Sequence, residues 1–129
     1  MPTFRYHYAA DNPPAPAVLL NLADPDSAAR VQDNWGLVDS GADQTVLPVS
    51  LVVNLGLAKL DVQLIHGFDG TPQLLETYIV LLQIRDLLPI VVEVIASEHV
   101  SHPILGRDVL NRYVMTLDGP KGMLEITGD

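Results

Sequence analysis

Turn-forming residues interrupt this chain at short intervals, and only short strands fit between them. Asp24-Pro25-Asp26, Asp39-Ser40-Gly41, His66-Gly67-Phe68-Asp69-Gly70 and Asp118-Gly119-Pro120-Lys121-Gly122 each mark a place where the backbone must bend. Between them run apolar or alternating segments. Phe4, Tyr6 and Tyr8 alternate with Thr3, Arg5 and His7, which predicts a strand over Thr3 to Tyr8. Further strands are predicted over Val18 to Leu22, Asn34 to Val38, Asp61 to Ile65, Leu74 to Ile84, Leu88 to Ala96, Tyr113 to Leu117 and Met123 to Thr127. Leu88 to Ala96 is apolar almost throughout and reads as buried on both faces. Asp11-Asn12-Pro13-Pro14-Ala15-Pro16 reads as an extended, proline-stiffened arm.

Helix is confined to two places. Pro48 to Leu55 suits one short helix, with proline in its first turn and Gly56 as a left-handed cap. Asp108 to Arg112 has room for one or two turns. Two glycine-containing turns, 66–70 and 118–122, each join a pair of strands into a hairpin. The expectation is one all-β domain over 1–129, with a first strand and proline-rich arm in 1–16.

Composition narrows the function. Apolar residues make up 48% of the 129 and charged residues 18%, which excludes a disordered chain. Leu87 to Ala96, the longest apolar stretch, contains Pro89 and Glu93 and is too short to span a bilayer. The first residues show no basic region followed by an apolar run, so a cytoplasmic location is expected. With no cysteine there is no disulfide framework and no thiolate nucleophile. A net charge of −9, with the basic residues scattered singly, argues against nucleic acid.

The residues that carry chemistry lie in Leu37-Val38-Asp39-Ser40-Gly41-Ala42. Two apolar residues lead into a tight turn that presents a carboxylate, a hydroxyl and a position without a side chain. The triplet alone is weak, since Asp-(Ser or Thr)-Gly arises by chance in roughly one chain in twenty of this length. Its context adds weight. Ala42-Asp43-Gln44-Thr45-Val46-Leu47-Pro48 follows it, Pro103-Ile104-Leu105-Gly106-Arg107-Asp108-Val109-Leu110 opens the second helix, and a glycine-flanked hairpin lies between the two.

This order resembles the retropepsin family, single-domain aspartic peptidases of retroviruses and their cellular relatives, over Val18 to Thr127. The resemblance implies an all-β acid-protease barrel with one or two short helices, a flap hairpin and one active-site Asp per chain. It implies that Asp39 is the catalytic carboxylate and that Ser40 bonds across a dimer. Gly41 and Ala42 would offer backbone groups to substrate, and Asp43 and Arg107 would form an ion pair beside the groove. Ile104, Leu105 and Gly106 would pack behind the catalytic turn. Ile65 to Thr71 would form the flap, with His66, Gly67, Phe68 and Asp69 at its substrate-facing tip. That tip is bulkier and more charged than the glycine-rich retroviral one. The first strand and proline arm are candidates for the family's terminal dimer sheet.

Chemistry asks for a second copy independently of the resemblance. An aspartic peptidase holds one proton between two carboxylates, a known pattern applied to this chain. Only one Asp-Ser-Gly occurs here; Asp69-Gly70-Thr71 and Asp118-Gly119-Pro120 lack the hydroxyl-then-glycine order. A twofold homodimer acting on an extended peptide is therefore expected, without cofactor or metal. Other readings are weaker. His99 and His102 lack a carboxylate partner pattern, and Asp24, Asp26 and Asp33 lack the glycine and glutamate of a calcium loop. Ser40 lacks a nucleophile elbow. Trp35 reads as core or rim packing. The functional rivals are a catalytically silent dimer of the same fold, serving peptide binding or assembly, and a plain β-barrel interaction domain.

Overall fold

A computed structural model describes residues 2–10, 13–66 and 70–129. The strands are β1 (Thr3–His7), β2 (Ala17–Ala23), β3 (Arg30–Val38), β4 (Val46–Pro48), β5 (Lys59–His66), β6 (Pro72–Ile84), β7 (Ile90–Ser97), β8 (Ile104–Leu105), β9 (Val114–Asp118) and β10 (Met123–Thr127). Two helices interrupt them, α1 (Val49–Leu55) and α2 (Arg107–Leu110). Seven strands run in the order β2-β3-β8-β4-β7-β6-β5, and β2 also pairs with β6. That extra pairing closes six strands into a barrel and leaves β5 outside it, attached to β6 alone among the described residues.

The barrel interior follows from alternation along its strands. Val18, Leu20 and Leu22 of β2 point inward, as do Val80, Leu82 and Ile84 of β6, and all are buried. They join one cluster with Leu47, Val94, Leu105 and Val109. Gly36 faces Leu20 across the β2–β3 pair, where an added Cβ would lie 2.5 Å from the leucine's Cδ1. The expectation that β7 is buried on both faces holds only for its second half. Val94, Ile95 and Ala96 are buried between β6 and β4, whereas Val91, before β4 begins, is 58% exposed.

A smaller sheet, ordered β1-β10-β9, packs Tyr6, Leu124 and Ile126 into the same core. Its terminal strands pair within one chain, Thr3 opposite Thr127 through His7 opposite Met123. The proline-rich segment is not the extended arm that its composition suggested. Ala9 and Ala15 exchange backbone hydrogen bonds of 2.7 and 3.2 Å, so the chain doubles back on itself. Proline fixes φ but leaves chain direction to its neighbours. Asp11 and Asn12 lie outside the described residues.

Helix α1 forms as its flanks require. Pro48 precedes it with extended backbone, at the N-cap instead of inside the first turn. Gly56 adopts φ 60°, and Gly56 and Leu57 donate their N–H groups to Val53 and Val52 carbonyls at 3.1 and 3.2 Å. This double bond pattern stops the helix with its last carbonyls satisfied. Among the described residues no helix is long and apolar enough to cross a membrane.

Candidate active site

The site grows from the end of β3. Leu37 and Val38 pair in parallel with Ile104 and Leu105, carrying the chain to Asp39 beside β8. Asp39 donates its N–H to the Leu105 carbonyl at 3.0 Å, and Leu37 donates to Pro103 at 2.9 Å. The turn then closes on the carboxylate itself. Gly41 donates its N–H to Asp39 Oδ1 at 2.9 Å, and Ala42 donates to the Asp39 carbonyl at 3.1 Å. Asp39 is thereby held by backbone in a fixed orientation while remaining partly exposed.

Behind the turn, the chain at 104–108 meets the chain at 42–45. Arg107 donates its N–H to the Ala42 carbonyl at 2.9 Å, and its guanidinium donates to the Ser40 carbonyl at 2.7 Å. The same guanidinium pairs with the Asp43 carboxylate. Gly106 sits so close to Gln44 that a Cβ would fall 2.6 to 2.9 Å from three of its backbone atoms. Here, more than at Gly41, absence of a side chain is a steric requirement. A Cβ on Gly41 would meet only Asp39 Oδ1, at 3.2 Å.

Two residues that the sequence reading left unassigned fasten this junction. Thr45 is fully buried; its N–H and hydroxyl donate to the two Asp108 carboxylate oxygens at 3.0 and 2.8 Å. Gly106 in turn donates its N–H to Thr45 Oγ1 at 3.1 Å. A buried hydroxyl that both donates and accepts ties the two segments together. The available signal was the polar Thr45 amid apolar neighbours, but nothing local told which residue would partner it.

In front of the turn opens a cleft of about 580 Å³. Asp39, Gly41 and Asp43 form its floor, Val46 and Ile95 one wall, and Ile65 and His66 reach it from the β5–β6 hairpin. Gln44 and Ala42 complete the lining, a contribution from Gln44, Val46 and Ile95 that the sequence had not indicated. The end of β5 thus borders the cleft. The remaining tip residues named from sequence, Gly67, Phe68 and Asp69, lie outside the described residues.

The backbone groups that face the cleft differ from the sequence expectation. Both Ala42 groups are occupied, its N–H by Asp39 and its C=O by Arg107. Among the described residues, the Ser40 N–H, the Gly41 C=O and the Asp43 N–H are the backbone groups of 39–43 without a partner in the chain. Ser40 is exposed, and its hydroxyl likewise has no partner among them. Also among the described residues, no three His, Cys, Asp or Glu side chains gather as a metal site. Trp35 lies at a rim, 47% exposed and edge-on to Tyr6 with ring centroids 6.1 Å apart.

No known sequence family and no curated protein matches the chain. Solved structures do. The EIAV protease complexed with the inhibitor HBY-793 superposes with a TM-score of 0.61 at 21% identity, covering 82% of this chain and 92% of that one. A retropepsin-like aspartic protease from Rickettsia conorii gives a TM-score of 0.61 at 14% identity, covering 97% of this chain and 91% of the other. The retroviral protease-like domain of Ddi1 from Leishmania major gives 0.46 at 19% identity, over 79% and 81%. The first two show that this chain has the retropepsin-like fold.

Proposed function

We propose that this chain is one half of an aspartic endopeptidase, completed when a second copy brings its own Asp39 to the first across a twofold axis. One observation carries the reading: Asp39 is braced by backbone at the floor of a cleft bordered by the end of β5. The fold supports it, because aspartic proteases are among the chains that share it.

A single such carboxylate cannot both accept a proton from water and donate one to a carbonyl. The other floor acid, Asp43, is engaged by Arg107 and is poorly placed to serve as partner. Two Asp39 groups brought to about 3 Å would hold one proton between them, because two like charges at that range repel strongly. The ionised carboxylate then takes a proton from a bound water while the protonated one polarises the scissile carbonyl. On collapse of the tetrahedral intermediate the roles reverse, and no covalent enzyme intermediate forms. The exposed Ser40 hydroxyl, unpartnered within the described chain, is suited to bonding across the axis.

The substrate would lie as an extended strand between floor and flap, so that main-chain bonds give affinity and side-chain pockets give selection. The Gly41 C=O and Asp43 N–H, without a partner among the described residues, are available for that pairing. The aliphatic side chains of Val46, Ile65 and Ile95 would receive apolar substrate side chains.

The test is cleavage of an unstructured protein across a range of pH by the wild type and by Asp39→Asn. Loss of about 10²–10⁴-fold or more in rate is expected for the variant. Equal turnover by the two would eliminate the peptidase reading.

A further inference from the structure

The hairpin beside the cleft also has an outer face and a free edge. Among the described residues, β5 is the last strand of its sheet and pairs only with β6. Natural proteins usually blunt such edges with charges, prolines or bulges, because unpaired backbone groups recruit another strand. On β5 those devices sit at the far end, where Lys59, Asp61 and a register irregularity between them are found. From Val62 to His66 the edge carries no charged Asp, Glu, Lys or Arg and no proline.

The backbone there faces outward. The Val62 N–H donates to Asp61 Oδ1 at 2.8 Å, and Pro72, opposite His66 in β6, has no N–H to offer across the pair. Alternation along an antiparallel strand then turns the N–H and C=O of Leu64 and His66 to the same open side. Apolar side chains flank them. Leu64 is 56% exposed opposite Leu74, itself 70% exposed, with Val62 alongside. The strand is continuous with the cleft, since Ile65 and His66 line the same space as Asp39. A peptide leaving the cleft beside His66 therefore meets an unpaired edge without changing direction.

We infer that the β5 edge is a second binding ledge: the flank of a polypeptide held in the cleft adds to β5 as a further strand. It pairs with the backbone of Leu64 and His66 and lays apolar side chains against Leu64, Val62 and Leu74. The inference deepens the peptidase reading and rests on it. It assigns this protein substrates that stay extended beyond the cleft and carry apolar residues at alternate positions in the flank.

The test uses the full chain carrying Asp39→Asn, which separates binding from cutting. It is titrated with a fluorescent Lys-Thr-Val-Thr-Val-Thr-Lys peptide and with the same peptide N-methylated at alternate residues, while exchange of the Leu64 amide is followed by NMR. Expected are slowing of Leu64 exchange by at least about tenfold and affinity weakened by about tenfold on N-methylation or on adding Leu64→Lys. Because Leu64 is exposed, the lysine variant should fold, and an unchanged melting temperature verifies it. Unchanged affinity in both comparisons, or protection confined to the cleft, overturns the inference. So does peptide-independent association of the chain that Leu64→Lys abolishes, which gives the edge to a second copy. A wild type that cuts no unstructured protein removes the peptidase reading, and with it the substrate assignment. Leu64 protection would then show only a strand-binding edge.

Discussion

At position 106 a methyl group would have nowhere to go. Its nearest neighbours would be the N, C and O atoms of Gln44, which are backbone and cannot rotate aside. At Gly36 the obstructing atom is the tip of the Leu20 side chain, which can change rotamer. The two glycines look alike in the sequence and differ in consequence. We expect Gly106→Ala to lose about 1–3 kcal/mol of stability, as overpacking does, and to lose cleavage as well. Gly36→Ala should be milder in denaturant melts. Equal destabilisation by the two would show that the approach of 106 to Gln44 is not rigid. The importance of Gly106 was legible from its place in Ile104-Leu105-Gly106-Arg107, but the atom it makes room for was not.

Among the elements, α2 and the turn after β3 are tied by two kinds of bond with different physical standing. The Arg107–Asp43 pair is largely solvated, with side-chain exposures of 44% and 83%, so it contributes about 0–1 kcal/mol to stability. Its role is positional: it steers Asp43 and, through the Ser40 carbonyl, the turn that carries Asp39. The Thr45–Asp108–Gly106 knot centres on the fully buried Thr45, and opening it leaves the threonine's polar groups without water. Arg107→Ala should therefore melt close to wild type yet lose up to about 10²-fold in kcat/KM, as a displaced catalytic group does. Thr45→Val should lose about 1–3 kcal/mol of stability. Melting curves and steady-state kinetics on both variants check the contrast, which fails if Arg107→Ala is the less stable of the two. Sequence order revealed the Asp43–Arg107 pair through its family resemblance. It was silent on Thr45, whose partner lies 63 residues away.

For the molecule as a whole, the terminal sheet and barrel share a core that includes the buried Tyr6, with the half-buried Tyr113 packed against it. Burial raises the Tyr6 hydroxyl above the ordinary value of 10.0, against an opposing pull from Arg85, and burial raises Tyr113 against Arg112. Unfolding restores both to ordinary values, so above about pH 10 the unfolded chain gives up protons that the folded chain retains. This contribution to stability is whole below that pH and is lost as pH rises further. Urea midpoints measured from pH 8 to 11 should fall at the alkaline end, and less steeply in Tyr6→Phe/Tyr113→Phe. An identical fall in the double variant would assign the loss to other groups. The Tyr113 hydroxyl is buried with no hydrogen-bond partner among the described residues, so removing it leaves no group stranded.

Alternation, turn residues and a single Asp-Ser-Gly determined, before any coordinates, a small β domain with one carboxylate to offer. Those signals reside in a few adjacent residues, whose backbone preferences act locally wherever the chain goes. Only the tertiary structure decided that β1 closes on β10 across the length of the chain, that the proline segment doubles back, and that β5 is left with an open edge. Each of these depends on which distant segments meet. Pairing over such separations is fixed by the collective burial of one core, which no short stretch of sequence encodes.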